Sequence, residues 1–284
     1  MNKFCFGGFV LAMTLLGFTP IPASAQVNIF NQSERWFSLG ADFGFYAGST
    51  DDDNRANMST VLHMGGRIHE NVDLELQVPG TLHAYANDTL DESSVAFRFA
   101  NPSLGAYYVT SDDMSMFRLG AFFAAPLASV PTNDLEDRAI ATEAYDYAAA
   151  MRGTWNRWQW MPSTTTFGAA SQLEFSPLSV LSLAADGAVA ALFDTGESRT
   201  QTDILTQLAL EAALKAGEIL RLGARIAGVW VPTADGDNFQ SFLEPFARLQ
   251  FTAAYLFASL ILNLDEPAGF AFDSGGVWGA RLGM

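Results

Sequence analysis

The chain has 284 residues, of which 49% are hydrophobic and 16% charged, and its 31 acidic and 15 basic residues give a formal charge of -16 at pH 7. Such acidity disfavours nucleic acid as a partner. The single cysteine, Cys5, excludes a disulfide framework. No stretch rich in Pro, Gly and Ser divides the chain, so the composition predicts one domain without disulfides.

The first residues have the layout of a secretory signal peptide. Lys3 supplies the positive charge, residues 4–18 are apolar, and residues 23–25, Ala-Ser-Ala, have the small-x-small form that signal peptidase requires. The apolar run is shorter than the ~20 residues of a membrane-spanning helix, which favours a cleaved signal over a retained anchor. We therefore predict that residues 1–25 are removed, which changes the formal charge from -16 to -17, and that residues 26–34 form a short periplasmic segment.

Beyond this segment, apolar and polar residues alternate with the period of two that is typical of β-strands. Between Trp36 and Tyr46, the odd positions are apolar and the even positions are small or polar. The pattern recurs over 57–68 and, after a short turn at 69–71, over 72–83. Each of these segments therefore predicts a strand with one apolar and one polar face.

Nine further strands are predicted with the same alternation. They cover 95–108 (with a bulge at Asn101-Pro102), 116–127, 167–175, 178–193, 204–216, 219–231, 239–251, 254–264 and 276–284. The segment 204–216 contains strong helix formers, but its alternation of Leu and Ala with Gln, Glu and Lys favours a strand. The total is twelve strands of about 9 to 15 residues, a length that suits tilted membrane strands.

The connections alternate between tight turns and longer loops, as in barrels with short periplasmic turns and long outer loops. The longer loops are 48–56, 87–93, 129–165, 194–202, 232–238 and 265–274. Periodicity alone does not separate a soluble sandwich from a membrane barrel, but strand length, the export signal and this asymmetry favour the barrel. The predicted fold class is all-β, a single antiparallel transmembrane up-and-down β-barrel over residues 35–284.

Aromatic residues recur near the predicted strand ends, where membrane barrels place their girdles. At the periplasmic ends they are Trp36, Tyr108, Phe117, Phe175, Phe251 and Tyr255, and at the outer ends Tyr46, Phe193 and Trp230.

The mature chain resembles bacterial outer-membrane β-barrel proteins through its signal peptide, its alternating strands and its last strand, Trp278 to Met284. In that class the last strand commonly ends in Phe or Trp, whereas this chain ends in Met284. A weaker likeness, through Asn101 to Tyr108, is to transporter barrels of the long-chain fatty-acid type. The resemblance implies a Gram-negative outer membrane, with its lipid, lipopolysaccharide and barrel assembly machinery as partners.

The polar faces predict a charged barrel lumen with basic and acidic residues in nearly equal number, either open as a pore or filled by ion pairs. The predicted lumen-lining residues are Asp42, His63, Arg67, Asp73, Glu75, His83, Arg98, Arg118, Glu174, Asp186, Glu211, Lys215, Arg221, Arg225, Glu244, Arg248 and Arg281.

Two kinds of chemistry are disfavoured by the same residues. His63, His69 and His83 share polar faces of adjacent strands, but their spacing matches no metal-ligand pattern, so no metal site is predicted. The closely spaced His and Ser of outer-membrane phospholipases, which also have twelve strands, is missing. We therefore predict neither an enzyme nor a cofactor. The predicted function is a channel or transporter for a small solute, and the alternative is a closed structural or surface-interaction barrel.

The longest predicted loop, 129–165, contains an Ala- and Glu-rich stretch from Asp134 to Met151 that predicts a helix capped by Asp134 and ended by Gly153. Loops of this length usually have their own structure or function. We predict a lid that folds into or over the outer mouth. Its aromatic residues are Tyr145, Tyr147, Trp155, Trp158 and Trp160. The alternatives are aromatics of the outer girdle, or a further hairpin that raises the strand count to fourteen.

Overall fold

The computed structural model describes residues 37–49, 53–87, 92–196, 202–217, 219–233, 238–251, 255–265 and 276–284. The predicted signal peptide, the segment 26–34 and Trp36 lie outside these residues.

The described chain is built mostly of strands, with one α-helix, α1 (Leu135–Ala150), and one 3-10 helix (Arg157–Trp160). The strands are β1 (Phe37–Ser49), β2 (Asp53–His69), β3 (Val72–Asn87), β4 (Glu92–Phe99), β5 (Ser103–Ser111), β6 (Ser115–Ala124), β7 (Thr164–Leu178), β8 (Leu181–Asp194), β9 (Thr202–Ala216), β10 (Leu220–Trp230), β11 (Phe239–Gln250), β12 (Tyr255–Asn263) and β13 (Trp278–Gly283). The segment 202–216 is a strand, which confirms the prediction from its alternation, although its residues are strong helix formers.

The strands form one closed antiparallel sheet. Apart from β4 and β5, each strand pairs with the next in sequence, β1 pairs with β13, and the β2–β3 pair completes the ring. β4 and β5 both pair with β3, β4 along residues 80–87 and β5 along residues 72–77, so they are two parts of one strand position. The structure is therefore a 12-strand barrel with one interrupted strand, which confirms the prediction of twelve strands and not the alternative of fourteen.

The interruption lies at the predicted bulge. The pairing register with β3 shifts by one residue between Phe99 and Ser103, and the Ala125 N–H donates to the Pro102 carbonyl at 2.9 Å. A one-residue shift exchanges the two faces of a strand. After the shift, alternate side chains of β5 again point into the barrel, beginning with Ser103, which is buried.

The outer face of the barrel is apolar and the inner face is largely polar. On β9, Leu208, Leu210 and Leu214 are 59%, 55% and 61% exposed, whereas the adjacent Gln207 is 4% exposed. A soluble sandwich has the opposite arrangement, with its apolar face buried. The distribution is that of a membrane barrel, with apolar side chains facing lipid.

Two aromatic residues predicted for the girdles point inward instead. Tyr46 stacks on Tyr147 with ring centroids 5.0 Å apart, and the hydroxyl of Tyr255 is buried. Both share the strand face that carries the interior charges, since Tyr46 is four residues from Asp42 and Tyr255 four from Ser259. The period of two therefore overrides their position at a strand end.

The chain between β6 and β7, residues 125–163, enters the barrel and is named here the inserted segment. Its helix α1 begins at Asp134, whose side chain accepts the N–H groups of Glu136 and Asp137, and ends before Met151. The predicted helix and its cap are thus confirmed. The buried residues of α1 recur at spacings of three and four, as on one helix face: Ala141, Ala144, Tyr145, Ala148 and Ala149. Within the described residues, no helix is both long and apolar enough to cross a membrane.

Candidate functional site

Arg152 anchors the inserted segment to the barrel wall. It follows α1, and Gly153, with a φ of 65°, redirects the chain after it. Arg152 Nη1 lies 3.0 Å from Asp42 Oδ2, and its Nε donates to Ser59 Oγ at 2.8 Å. Arg281 donates to the same Asp42 carboxylate. Because all three charged residues are buried, loss of one member would leave an uncompensated charge in a low-dielectric site.

The Asp42 carboxylate begins a chain of ion pairs that crosses the interior face of the wall. Arg281 Nη1 lies 2.8 Å from Glu244 Oε1. Arg225 Nη1 lies 3.5 Å from Glu244 Oε2, and its Nη2 lies 3.7 Å from Asp186 Oδ2. These residues sit on β13, β11, β10 and β8, so the charges on this side of the barrel neutralise one another.

Other predicted interior residues pair in smaller groups. The pairs are Arg221 with Glu174 at 3.5 Å, Arg248 with Glu211 at 2.7 Å, Arg67 with Asp73 at 2.9 Å, and Arg118 with Glu75. Lys215 Nζ donates to Ser176 Oγ at 3.1 Å. Arg98 is half-buried on β4. None of the residues predicted to line the lumen is fully exposed.

The three histidines do not come together. His63 and His83 are buried on β2 and β3, whereas His69 is exposed at the turn that joins these strands. His83 Nε2 lies 3.6 Å from Glu143 Oε2 of the inserted segment. Among the residues that the structure describes, no group of three or more His, Cys, Asp or Glu side chains is placed to hold a metal ion.

Two tryptophans of the inserted segment pack against the wall. The Arg225 guanidinium lies over the Trp155 ring at 4.0 Å from its centroid, and Phe242 meets the same ring edge-on at 6.4 Å. Trp158 stacks on Phe122 at 4.6 Å. A desolvated cation over an aromatic ring contributes about 2 kcal/mol, so these contacts hold the segment firmly. The remaining apolar residues of this cluster are inward-facing: Ala124, Ala188, Ala190, Leu192, Leu205, Ala209, Ala227, Val229, Val231 and Ile261.

The other aromatic residues predicted for a lid also lie inside. Tyr145 and Trp160 are buried, and the Tyr145 hydroxyl donates to the Phe99 carbonyl at 2.8 Å. Burial raises the pKa of Tyr145, so its hydroxyl keeps the proton that it donates. Tyr147 is half-buried and stacks on both Tyr46 and His83, with centroid distances of 5.0 and 5.8 Å. These positions exclude a lipid-facing girdle for the segment's aromatics.

Side-chain amides join the backbone of the inserted segment to the wall. Asn156 and Gln207 are linked twice, since the Asn156 N–H donates to Gln207 Oε1 at 3.0 Å and Gln207 Nε2 donates to Asn156 Oδ1 at 2.9 Å. Asn263 Nδ2 donates to the Ala150 carbonyl at 2.9 Å. These bonds satisfy backbone and side-chain groups that would otherwise be buried without partners.

Asn101 supplies the most connected of these amides, at the strand interruption. Its Nδ2 donates to the carbonyls of Trp158 and Met161 at 3.0 and 2.6 Å, and its Oδ1 accepts the Ala128 N–H at 2.7 Å. One side chain therefore holds the chain on its way into the barrel and on its way out.

Within the described residues, strained non-glycine backbone is confined to the inserted segment. Among the described residues, the non-glycine positions with positive φ are Thr154, Asn156 and Ser163, with φ of 58°, 55° and 52°. Asn tolerates this region, but a β-branched residue such as Thr154 does so at a cost of roughly 1–3 kcal/mol. The Thr154 hydroxyl is also buried without a partner among the described residues. The seated segment therefore carries local strain that the anchoring contacts offset.

The inserted segment separates two cavities. The loop-end cavity, of about 660 Å³, lies toward the long loops and is lined by Arg55 and Asp194 of the wall and by Arg157 of the segment. The inner cavity, of about 120 Å³, lies on the other side, against β3 and β5–β9. Trp155, Asn156 and Trp158 line it from the segment.

Sequence reasoning missed the residues that join segment and wall. Arg152 lies next to Gly153 at the end of the predicted helix and carries no signal for a wall contact, since its partner Asp42 is 110 residues away. Asn101, Asn156 and Gln207 carry no motif. Alternation offered a usable signal for two wall residues, since Gln207 shares its strand face with Glu211 and Phe242 lies two residues from Glu244.

No protein-family model matches the chain, and no curated protein matches it in sequence. Among solved structures, it is similar to an outer membrane channel from Pseudomonas putida F1, with a TM-score of 0.57 and 11% identity over 86% of this chain and 93% of that one. It is also similar to the NanC porin (TM-score 0.47, 8% identity, 87% and 98% covered) and to a Pseudomonas aeruginosa FadL homologue (0.41, 11%, 87% and 74%).

The closed barrel, its apolar outer face and the first of these likenesses define the class of protein. The chain has the fold of a bacterial outer-membrane β-barrel.

Proposed function

We propose that the protein is an outer-membrane channel or transporter for small solutes, with the inserted segment as its gate across a charged lumen. In this proposal the signal peptide directs export, the long-loop end faces outward and the short-turn end faces the periplasm. Lipid, lipopolysaccharide and the assembly machinery are its proposed partners, and no catalytic or cofactor role is assigned.

The observation that carries the proposal is the division of the barrel interior into two cavities by one segment. The residues between the cavities, 153–160, form no strand of the wall. The segment is held by side-chain contacts from several strands rather than by strand pairing, and its backbone is strained at Thr154. Movement of this segment would join the cavities without opening the hydrogen-bonded ring of strands.

A second candidate function is a closed structural or surface-interaction barrel. It is favoured by the density of interior contacts, since ion pairs link Asp42 on β1 to Asp186 on β8, and Trp155 and Trp158 are packed inside the barrel. Such a barrel would carry no current in any state of the inserted segment.

Deletion of residues 134–153 tests the proposal. A gate predicts a barrel that still shows heat-modifiable gel migration and that conducts in planar bilayers with larger or more frequent openings than the natural chain. A chain with 134–153 replaced by glycine and serine at equal length is the control for loop closure, and it should behave like the deletion. A folded barrel that stays silent at all voltages in both variants would favour the closed barrel instead.

A further inference from the structure

The charged groups around the inner cavity are matched in pairs. Glu75 accepts from Arg118, whose guanidinium also lies over the Tyr107 ring at 3.6 Å from its centroid. Asp186 lies 3.7 Å from Arg225. The lining therefore carries little net charge, and an ionic solute would gain no unpaired counter-charge in exchange for its lost hydration.

The polar groups that remain unmatched are both donors and acceptors. The Asn156 Nδ2 group, the Ser103 hydroxyl and the Tyr107 hydroxyl make no hydrogen bond to any residue in the described part of the chain, although all three residues line the cavity. The Asp186 carboxylate has its ion pair but accepts no hydrogen bond from these residues. Hydroxyl groups both donate and accept, so a solute with several hydroxyls can satisfy this set without carrying charge.

The rest of the lining limits the size and shape of such a solute. Trp155, Trp158 and Phe122 present aromatic surface to the cavity, which suits the C–H groups of a short carbon chain or ring. The volume, about 120 Å³, is somewhat less than the ~150 Å³ of a cavity that holds benzene. A molecule of a few carbons fits while the segment is seated, and a disaccharide does not.

We propose that the inner cavity is a binding site for small neutral polyols. The inference rests on the proposed transport function and names the solute class for the same path. In it, Asn156 and Tyr107 donate to solute hydroxyls, Asp186 accepts from them, and the two tryptophans contact the carbon skeleton. Because Asn156, Trp155 and Trp158 belong to the inserted segment, an occupied site contacts the gate directly.

Saturation-transfer NMR on the full-length mature protein in detergent tests the site with three probes: erythritol, choline and malonate. Erythritol should show saturation transfer that reaches a plateau as its concentration rises. Choline, the cation, and malonate, the anion, should show weaker transfer at equal concentration. In the double variant Tyr107→Phe, Ser103→Ala, the loss of two hydrogen-bonding groups should weaken erythritol binding by about fivefold to 100-fold. The control is Tyr255→Phe, which removes an interior tyrosine hydroxyl outside the cavity and should leave binding unchanged.

The inference is overturned if erythritol shows no transfer, if choline or malonate binds as well, or if the double variant binds erythritol like the natural chain. Heat-modifiable migration verifies that each variant is folded, and Tyr107→Phe alone replaces the double variant if that does not fold. Conductance of the 134–153 deletion is measured separately. If the deletion conducts but the natural chain binds no erythritol, the solute class alone is refuted. If the folded deletion and its glycine-serine control both stay silent, the transport function is refuted.

Discussion

Replacement of Arg152 by Gln should release the inserted segment without unfolding the barrel. The substitution removes a buried ion pair with Asp42 and a hydrogen bond to Ser59. Removal of one partner of a buried pair costs about 3–5 kcal/mol, and the lower end applies because Asp42 retains Arg281. The loss falls on the seated state alone, since in the displaced state Arg152 is hydrated.

A loss of about 3 kcal/mol corresponds to roughly a 100-fold shift toward the displaced state. Single-channel recording in planar bilayers should therefore show an open probability about 100-fold higher for Arg152→Gln than for the natural chain. Arg248→Gln is the matched control, because Arg248 is also buried, but its partners Glu211 and Phe246 both belong to wall strands. Its open probability should stay near that of the natural chain.

Two results would refute this reasoning. If folded Arg152→Gln is as silent as the natural chain, the Arg152 contact does not hold a gate. If Arg248→Gln opens as often as Arg152→Gln, the effect comes from general loosening of the wall.

Three further predictions concern other parts of the molecule. In Gly153→Ala, the new Cβ would lie 2.2 Å from Phe242 Cδ1, at a residue whose φ is 65°, so the inserted segment should seat poorly and channel openings should become more frequent. The control Ala258→Val adds bulk on the outer face and should not change the opening frequency. In Asn101→Ala, the loss of the amide should expose the segment to limited trypsin digestion in intact proteoliposomes, while the barrel stays heat-modifiable; equal resistance would contradict the role of this side chain. Hydrogen bonds from two backbone N–H groups lower the pKa of Asp112 in the β5–β6 turn, so NMR titration should find that this carboxyl stays charged at a pH where an ordinary Asp is protonated. Its stabilising contribution should be lost only as the pH falls through that lowered pKa.

The barrel could be predicted from the sequence because its signal is local and repeated. Alternation identified the strand at 202–216 against its helix propensity and placed Asp42 and Glu244 inside. Each of these depends on the period of two, which a strand keeps whatever its partners are.

The candidate site could not be predicted in the same way because it depends on contacts between distant residues. The Arg152–Asp42 pair and the Gln207–Asn156 pair join positions 110 and 51 residues apart in the chain. The helix of the inserted segment was predicted from its cap and composition, but its depth in the barrel was not, since a lid over the mouth and a segment within the interior share the same local pattern. The inward position of Tyr46 was missed although its signal is local: its strand-end location was given more weight than the alternation that puts it on the same face as Asp42.

A reducible cross-link between the inserted segment and the wall tests most directly whether this segment is the gate. Ser59 Oγ lies 3.4 Å from Met151 Sδ, and the sequence has one cysteine, Cys5, within the predicted signal peptide. In the Arg152→Gln background, Ser59→Cys and Met151→Cys joined by a short bis-thiosulfonate linker should give a silent barrel, and reduction of the linker should restore openings in the same bilayer. Openings of equal frequency before and after reduction, with the cross-link verified by mass spectrometry, would contradict a gate formed by residues 125–163.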